Sequence, residues 1–203
     1  MAAEDIQIGT TMAVRRTVIS VAALNLGYFG IEFAVALAIG SVSLFADSVD
    51  FLEDASVNLL ILLALRWSPA RRAQLGMVLA LILLVPALAG LWTAGAKLFS
   101  PVVPAPLPLT ATGLGALAVN LVCAVMLARV RDHHGSLTRA AFLSARNDVL
   151  ANIAIIAAGL VTGYLWHSIW PDLIVGIGIA AMNADAANEV WRAAHQEYQT
   201  ARA

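Results

Sequence analysis

The sequence predicts an all-α integral membrane protein, a six-transmembrane-helix bundle with both termini cytoplasmic, and three observations predict it. Hydrophobic residues make up 61% of the 203 positions and charged residues only 12%, whereas soluble domains run nearer half apolar and a quarter charged. Six segments reach the length of about 20 mainly apolar residues that a bilayer core requires: Val14–Ala38, Leu44–Leu65, Leu75–Leu98, Leu109–Val130, Ala140–Trp166 and Pro171–Val190. The basic residues, finally, fall in alternate links between these segments.

Each element follows in order. Residues 1–13 are acidic and polar, which makes them a cytoplasmic tail with no cleavable signal peptide. Arg15 and Arg16 open the first span, and the short, uncharged link Gly40-Ser41-Val42-Ser43 turns it into the second. Arg66, Arg71 and Arg72 link the second to the third. The next link, Ser100 to Pro108, is rich in proline and cannot continue a helix. Arg129, Arg131 and Arg139 join the fourth span to the fifth. His167-Ser168-Ile169-Trp170-Pro171 separates the last two, with Trp166 and Trp170 placed for an interfacial belt. Arg192 and Arg202 follow the sixth, while the opposite side holds only Lys97, at a helix end. The positive-inside rule then puts both termini and the two basic loops in the cytoplasm. Residues 14–190 form the transmembrane domain, and 191–203 a short cytoplasmic tail with no room for a folded soluble domain. The expected location is a bacterial-type inner (plasma) membrane.

Composition also excludes. A net charge of −1 offers no broad basic surface for a nucleic acid. A single cysteine, Cys123, rules out an intramolecular disulfide and a Cys-rich metal site, and reads as a small apolar packing residue. No phosphate loop or nucleophile–base constellation occurs, so neither ATP hydrolysis nor another enzymatic activity is supported, and no cofactor is implied.

The second span carries the chemistry. Asp47, Asp50, Glu53 and Asp54 lie inside it, although a charged Asp near the bilayer centre costs roughly 2.5–3.5 kcal/mol on insertion scales. At about 100° per residue, Asp47, Asp50 and Asp54 fall within roughly 60° of one another, with Asn58 continuing that face and Glu53 turned away from it. Such a stripe must face protein or water. Asp50 and Asp54 are neighbours on adjacent turns, and two carboxylates so placed repel unless a cation sits between them. That pattern suits a divalent ion. The competing reading pairs the carboxylates with buried arginines, yet Arg146 is the one basic residue well inside a helix, and one guanidinium cannot neutralise the set. Asp47, nearer the helix start, could instead bond exposed backbone amides.

The fifth span supplies a second cluster. Ser144 and Asp148 are again four apart, Asn147 lies near the same face, and Arg146 points away. Asp54 and Asp148, counted from opposite ends of their spans, both fall roughly 14–15 Å deep, near the midplane of the core. Transporter sites sit at that depth.

On these residues the chain resembles the cation diffusion facilitator family of metal/proton antiporters. The resemblance runs through all six spans: Asn25 and Glu32 on the first, Gly40-Ser41-Val42-Ser43-Leu44, then Asp47-x-x-Asp50-x-x-x-Asp54, Ala141-Phe142-Leu143-Ser144 followed by Asp148, and Pro171-Asp172. It implies a metal site with two ligands four apart on each of the second and fifth spans, here Asp50, Asp54, Ser144 and Asp148, with the Asn147 amide as a further oxygen. Asp47, Asn25 and Glu32 then serve as support for the site or as a proton relay. In zinc-transporting relatives the Ser144 position is usually His, so this site is all oxygen. Oxygen ligands suit Mn²⁺, Mg²⁺ or Fe²⁺, yet carboxylates also hold Zn²⁺ and Cd²⁺. The resemblance makes Zn²⁺ the first expectation. The family's carboxy-terminal cytoplasmic domain is not among these 203 residues, so the expected homodimer forms through membrane helices.

The function these features predict is export of a divalent metal cation, the transported substrate, from the cytoplasm in exchange for protons. Two rivals stay open: a non-transporting membrane protein whose polar cluster holds a subunit interface, and a proton or monovalent-cation pathway. His133 and His134 read as a metal-capturing pair or a solvated loop. Asn25 and Glu32 read equally as a buried hydrogen-bonding pair. Asp172 reads as a helix cap or dipole partner in preference to a metal ligand.

Overall fold

The computed structural model describes residues 2–64, 67–129 and 136–200. The side chains of residues 2–11 and 136–147, with scattered others, lie outside that description. The helices are α1 Ala2–Ile39, α2 Val42–Ala64, α3 Pro69–Phe99, α4 Pro106–Ala128, α5 Ser136–Tyr164 and α6 Trp170–Thr200, and no strand occurs among the described residues. Even the shortest, α2 and α4, have 23 residues, enough at about 1.5 Å per residue to match a hydrocarbon core of ~30 Å.

The helices outrun the apolar segments at several ends. α1 starts at Ala2 instead of near Val14, and α6 runs to Thr200 instead of Val190. Apolar length measures what lipid covers. The flanking Ala, Glu, Gln and Arg residues are strong helix formers that carry the helix onward. α4 begins at Pro106, inside the proline-rich link, because proline is well placed in a first turn, where its missing N–H has no helical partner to lose.

Between α1 and α2 the chain reverses on Gly40, whose φ of 62° lies where only glycine sits without cost. The Ser41 N–H bonds the Ala36 carbonyl at 3.0 Å, which closes α1 in a Schellman arrangement. α2 is the central helix and packs against all five others. Around it α1 pairs with α2, α3 with α6, and α4 with α5. Small residues allow these close approaches, as where Gly90 faces Ala180 and Gly113 faces Ile155.

Polarity is inverted relative to a water-soluble protein. Leu26, Ile31, Leu37, Leu121, Val125, Leu160 and Ile174 are exposed, while Asn25, Glu32, Asp47, Asn120, Asn152 and Asp172 are buried. Lipid accepts the former, and only protein accepts the latter. By length and composition alone, two helices among the described residues are apolar enough to cross a membrane, Val14–Ile39 and Pro106–Ala128. α2 falls short because it carries the four carboxylates, which the bundle shields.

Candidate metal centre

α2 sorts its side chains by face. Leu52 and Leu59 are exposed, Asp47, Ser48 and Asn58 are buried, and Asp50, Glu53 and Asp54 are half-buried toward the neighbouring helices. The helical period predicts this stripe, and α2's central position puts protein around it.

Two asparagines from flanking helices hold the two α2 carboxylates. Asn25 of α1 donates through Nδ2 to Asp54 Oδ2 at 3.3 Å, and its Oδ1 accepts the Cys123 thiol of α4 at 3.4 Å. Cys123 is thus a packing residue that also orients the Asn25 amide. Asn183 of α6 donates through Nδ2 to Asp50 Oδ1. On α5 the Asp148 carboxyl adjoins that of Asp54 and stands within electrostatic reach of Asp47 and Glu53. Asn58 and Asn152 each bond the backbone carbonyl one turn back, Asp54 at 2.7 Å and Asp148 at 2.8 Å.

The structure therefore brings Asp50, Asp54 and Asp148 into one neighbourhood from α2 and α5. Among the described residues, however, no three carboxylate, imidazole or thiol groups converge on a single point. Glu53 is half-buried and stands within electrostatic reach of Asp50 and Asp148. The side chains of Ser144, Arg146 and Asn147, and residues His133 and His134, lie outside the described residues.

Glu32 of α1 and Asp47 of α2 form a second carboxyl pair. Both are fully buried and adjoin each other, and among the described residues none of their four oxygens has a donor. Burial without a donor is costly for a carboxylate. Asn25 and Glu32 are not bonded to each other, since Asn25 serves Asp54 and Glu32 faces Asp47.

At the α1–α2 turn stands a knot whose partners the sequence did not reveal. Asp172, at the start of α6, caps α2 instead of its own helix. Its carboxylate accepts the Val42 and Ser43 backbone N–H groups at 2.9 and 3.2 Å and the Ser41 and Ser43 hydroxyls, each at 2.6 Å. These satisfy the orphan amides of α2's first turn, and Ser41 Oγ takes that of Leu44 at 3.1 Å. Lys97 of α3 completes the knot, donating to Asp172 Oδ2 and to the Gly40 carbonyl, both at 2.7 Å. The lysine is 6% exposed and the aspartate 0%. Two signals could have found these residues: Lys97 is the lone basic residue among the uncharged links, and Asn183 the lone amide in an apolar stretch of α6.

A helical membrane bundle thus brings carboxylates from two facing helices, α2 and α5, into one neighbourhood. Residues 18–196 match the family model described as the cation efflux transmembrane domain, and the chain belongs to this cation efflux family, whose members are transporters and not enzymes. A relative, the cation-efflux pump FieF of Salmonella arizonae, is 29% identical over 183 residues, covering 82% of this chain and 60% of that protein. The chain thus spans about three-fifths of the length of the curated relative it matches.

Proposed function

We propose that this chain exports divalent metal cations from the cytoplasm in exchange for protons, with Zn²⁺ as first-choice cargo and Cd²⁺, Mn²⁺ and Fe²⁺ as related ions. The observation that carries the reading is the gathering of Asp50, Asp54 and Asp148 from α2 and α5 within a cation efflux transmembrane domain. In this reading these three carboxylates, with Ser144 and Asn147, ligate the metal. Six membrane crossings place both termini in the cytoplasm of a bacterial-type inner membrane, and the protein dimerises through membrane helices.

Metal ligands must be deprotonated, so binding expels protons. In the empty state crowding and desolvation favour protonated carboxyls. Exchange of the two occupants, as the bundle alternates its opening, couples metal exit to proton entry. Asn25 holds Asp54 in place from α1. The Glu32–Asp47 pair, with no donor among the described residues, shares a proton between its carboxyls and serves as the relay.

A cluster that merely glued subunits together would lie on the outer surface. Asp47, Glu32 and Asn25 are instead buried within one chain, which disfavours that rival. Reconstitution into liposomes tests the proposal: a Zn²⁺ gradient should drive opposing proton movement, and Asp54→Ala or Asp148→Ala should abolish it. Wild-type flux in either variant removes that residue from the site.

A further inference from the structure

Resting on that reading, we infer that Asn183 of α6 is a further oxygen ligand of the transported cation, and that it favours ions of high coordination number. The residue stands among Gly176, Gly178, Ala180, Ala181 and Ala184 as the lone amide in an apolar run. A polar side chain in such a stretch is costly unless it serves a function or a partner. Its Nδ2 reaches Asp50 Oδ1.

The register that delivers Asn183 is fixed at the knot. α2 and α6 both start there, with the Asp172 carboxylate on the first amides of α2, so the two helices advance side by side in the same direction. Gly176 abuts them there: a Cβ on it would lie 2.6 Å from Val42 Cγ1 and 2.9 Å from the Ser43 nitrogen. From Val42 to Asp50 and from Asp172 to Asn183 the helices climb roughly 12 and 16 Å at 1.5 Å per residue. Asn183 thus arrives at Asp50 by construction.

An amide has a donor end and an acceptor end. The donor end faces the Asp50 carboxylate. A cation bound to Asp50 repels that N–H end, and a half-turn of the amide presents Oδ1 to the metal instead. The exchange needs no backbone movement and keeps Asp50 partnered in both states. It adds an oxygen from a third helix to those from α2 and α5. Mn²⁺ takes six oxygen ligands readily, whereas Zn²⁺ settles with four, so the extra oxygen matters more to Mn²⁺.

The test is equilibrium binding of Mn²⁺ and of Zn²⁺ to the purified full chain, wild type against Asn183→Leu, which keeps the branched shape and heavy-atom count and removes both polar ends. Mn²⁺ affinity should fall at least about tenfold, the lower bound for losing a support of a metal site, and Zn²⁺ affinity markedly less. Asn183→Ser, smaller and still oxygen-bearing, should recover part of the Mn²⁺ affinity, and it replaces the leucine variant if that one fails to fold. Equal losses for both ions would make Asn183 a positioning residue for Asp50 and overturn the inference. Unchanged affinities would overturn it as well. Absence of divalent-ion binding by the wild type would instead defeat the metal-site reading on which it rests.

Discussion

Replacing Lys97 with methionine removes the cation from the buried knot while keeping most of the side-chain volume. Both partners of the ion pair are buried, with side chains 5% and 0% exposed. Deleting one partner of such a pair leaves an uncompensated charge and costs about 3–5 kcal/mol. Asp172 would keep four donors, the two serine hydroxyls and the two α2 amides. It also sits on the positive end of a helix dipole. Those contacts place the expected loss at the lower bound, about 3 kcal/mol. Asp172→Asn is the converse lesion. It leaves the Lys97 ammonium bonded to the Gly40 carbonyl without a counter-charge, and should cost as much or more. The double variant removes both charges together, so it should fall short of the sum of the single losses by about 0.5–3 kcal/mol, the range for residues in one network. Unfolding free energies in mixed detergent micelles, measured for the four proteins, read the cycle directly. A loss under about 1 kcal/mol for Lys97→Met, or strict additivity in the double variant, would refute the account of the knot as a buried ion pair.

Further expectations concern the site and its packing. Ser144→His should shift binding toward Zn²⁺ over Mn²⁺, because imidazole suits zinc better; an unchanged preference would show that Ser144 is not a ligand, and Asn147→Ala then asks whether the amide takes its place. Adding Zn²⁺ to weakly buffered protein should release protons, and Zn²⁺ affinity should fall as pH falls, since protons and metal compete for the same carboxylates; a pH-independent isotherm would place the metal elsewhere. Gly176→Ala forces a methyl against the α2 backbone, with the Val42 carbonyl carbon 2.9 Å away, and should destabilise the fold by about 1–3 kcal/mol as overpacking does; wild-type stability on micelle unfolding would mean α6 can withdraw at no cost.

What the sequence disclosed follows the range of its signals. The α2 stripe was legible because Asp47, Asp50 and Asp54 sit in one helix, where a fixed angle per residue decides which side chains share a face. Asp148 was legible through depth, a count of residues from each span end. Asn183 was not, for a lone amide at the end of an apolar run has no companion one turn away to mark its face. The knot was hidden for a related reason. Asp172 meets Ser41 across 131 positions and Lys97 across 75, and capping rules look only at a helix's own neighbours. Asp172 obeys those rules in chemistry, since a carboxylate does stabilise a helix N-terminus and it stands in the first turn of α6, but the backbone amides it bonds are those of α2.

The placement of the knot also bears on how the carboxylates are divided. Asp172, Lys97, Ser41 and Ser43 tie α6, α3 and the α1–α2 turn into one rigid end. The α4–α5 pair has no residue in it. That pair joins the rest through other contacts, among them the Tyr28 hydroxyl on the Thr112 carbonyl at 2.6 Å, the Cys123 thiol on Asn25 Oδ1 and an apolar core that Leu109, Ala151 and Ile155 share with Ala36, Leu44 and Ile179. Asp50 and Asp54 therefore stand on the tied unit, and Asp148 stands on the other. Where both sets are ionised they repel across the seam; if they share a metal ion, the ion draws the seam together. Occupancy of one small site would then bias the relative position of two helical units, which is the differential interaction between states that a ligand must make to shift a conformational equilibrium.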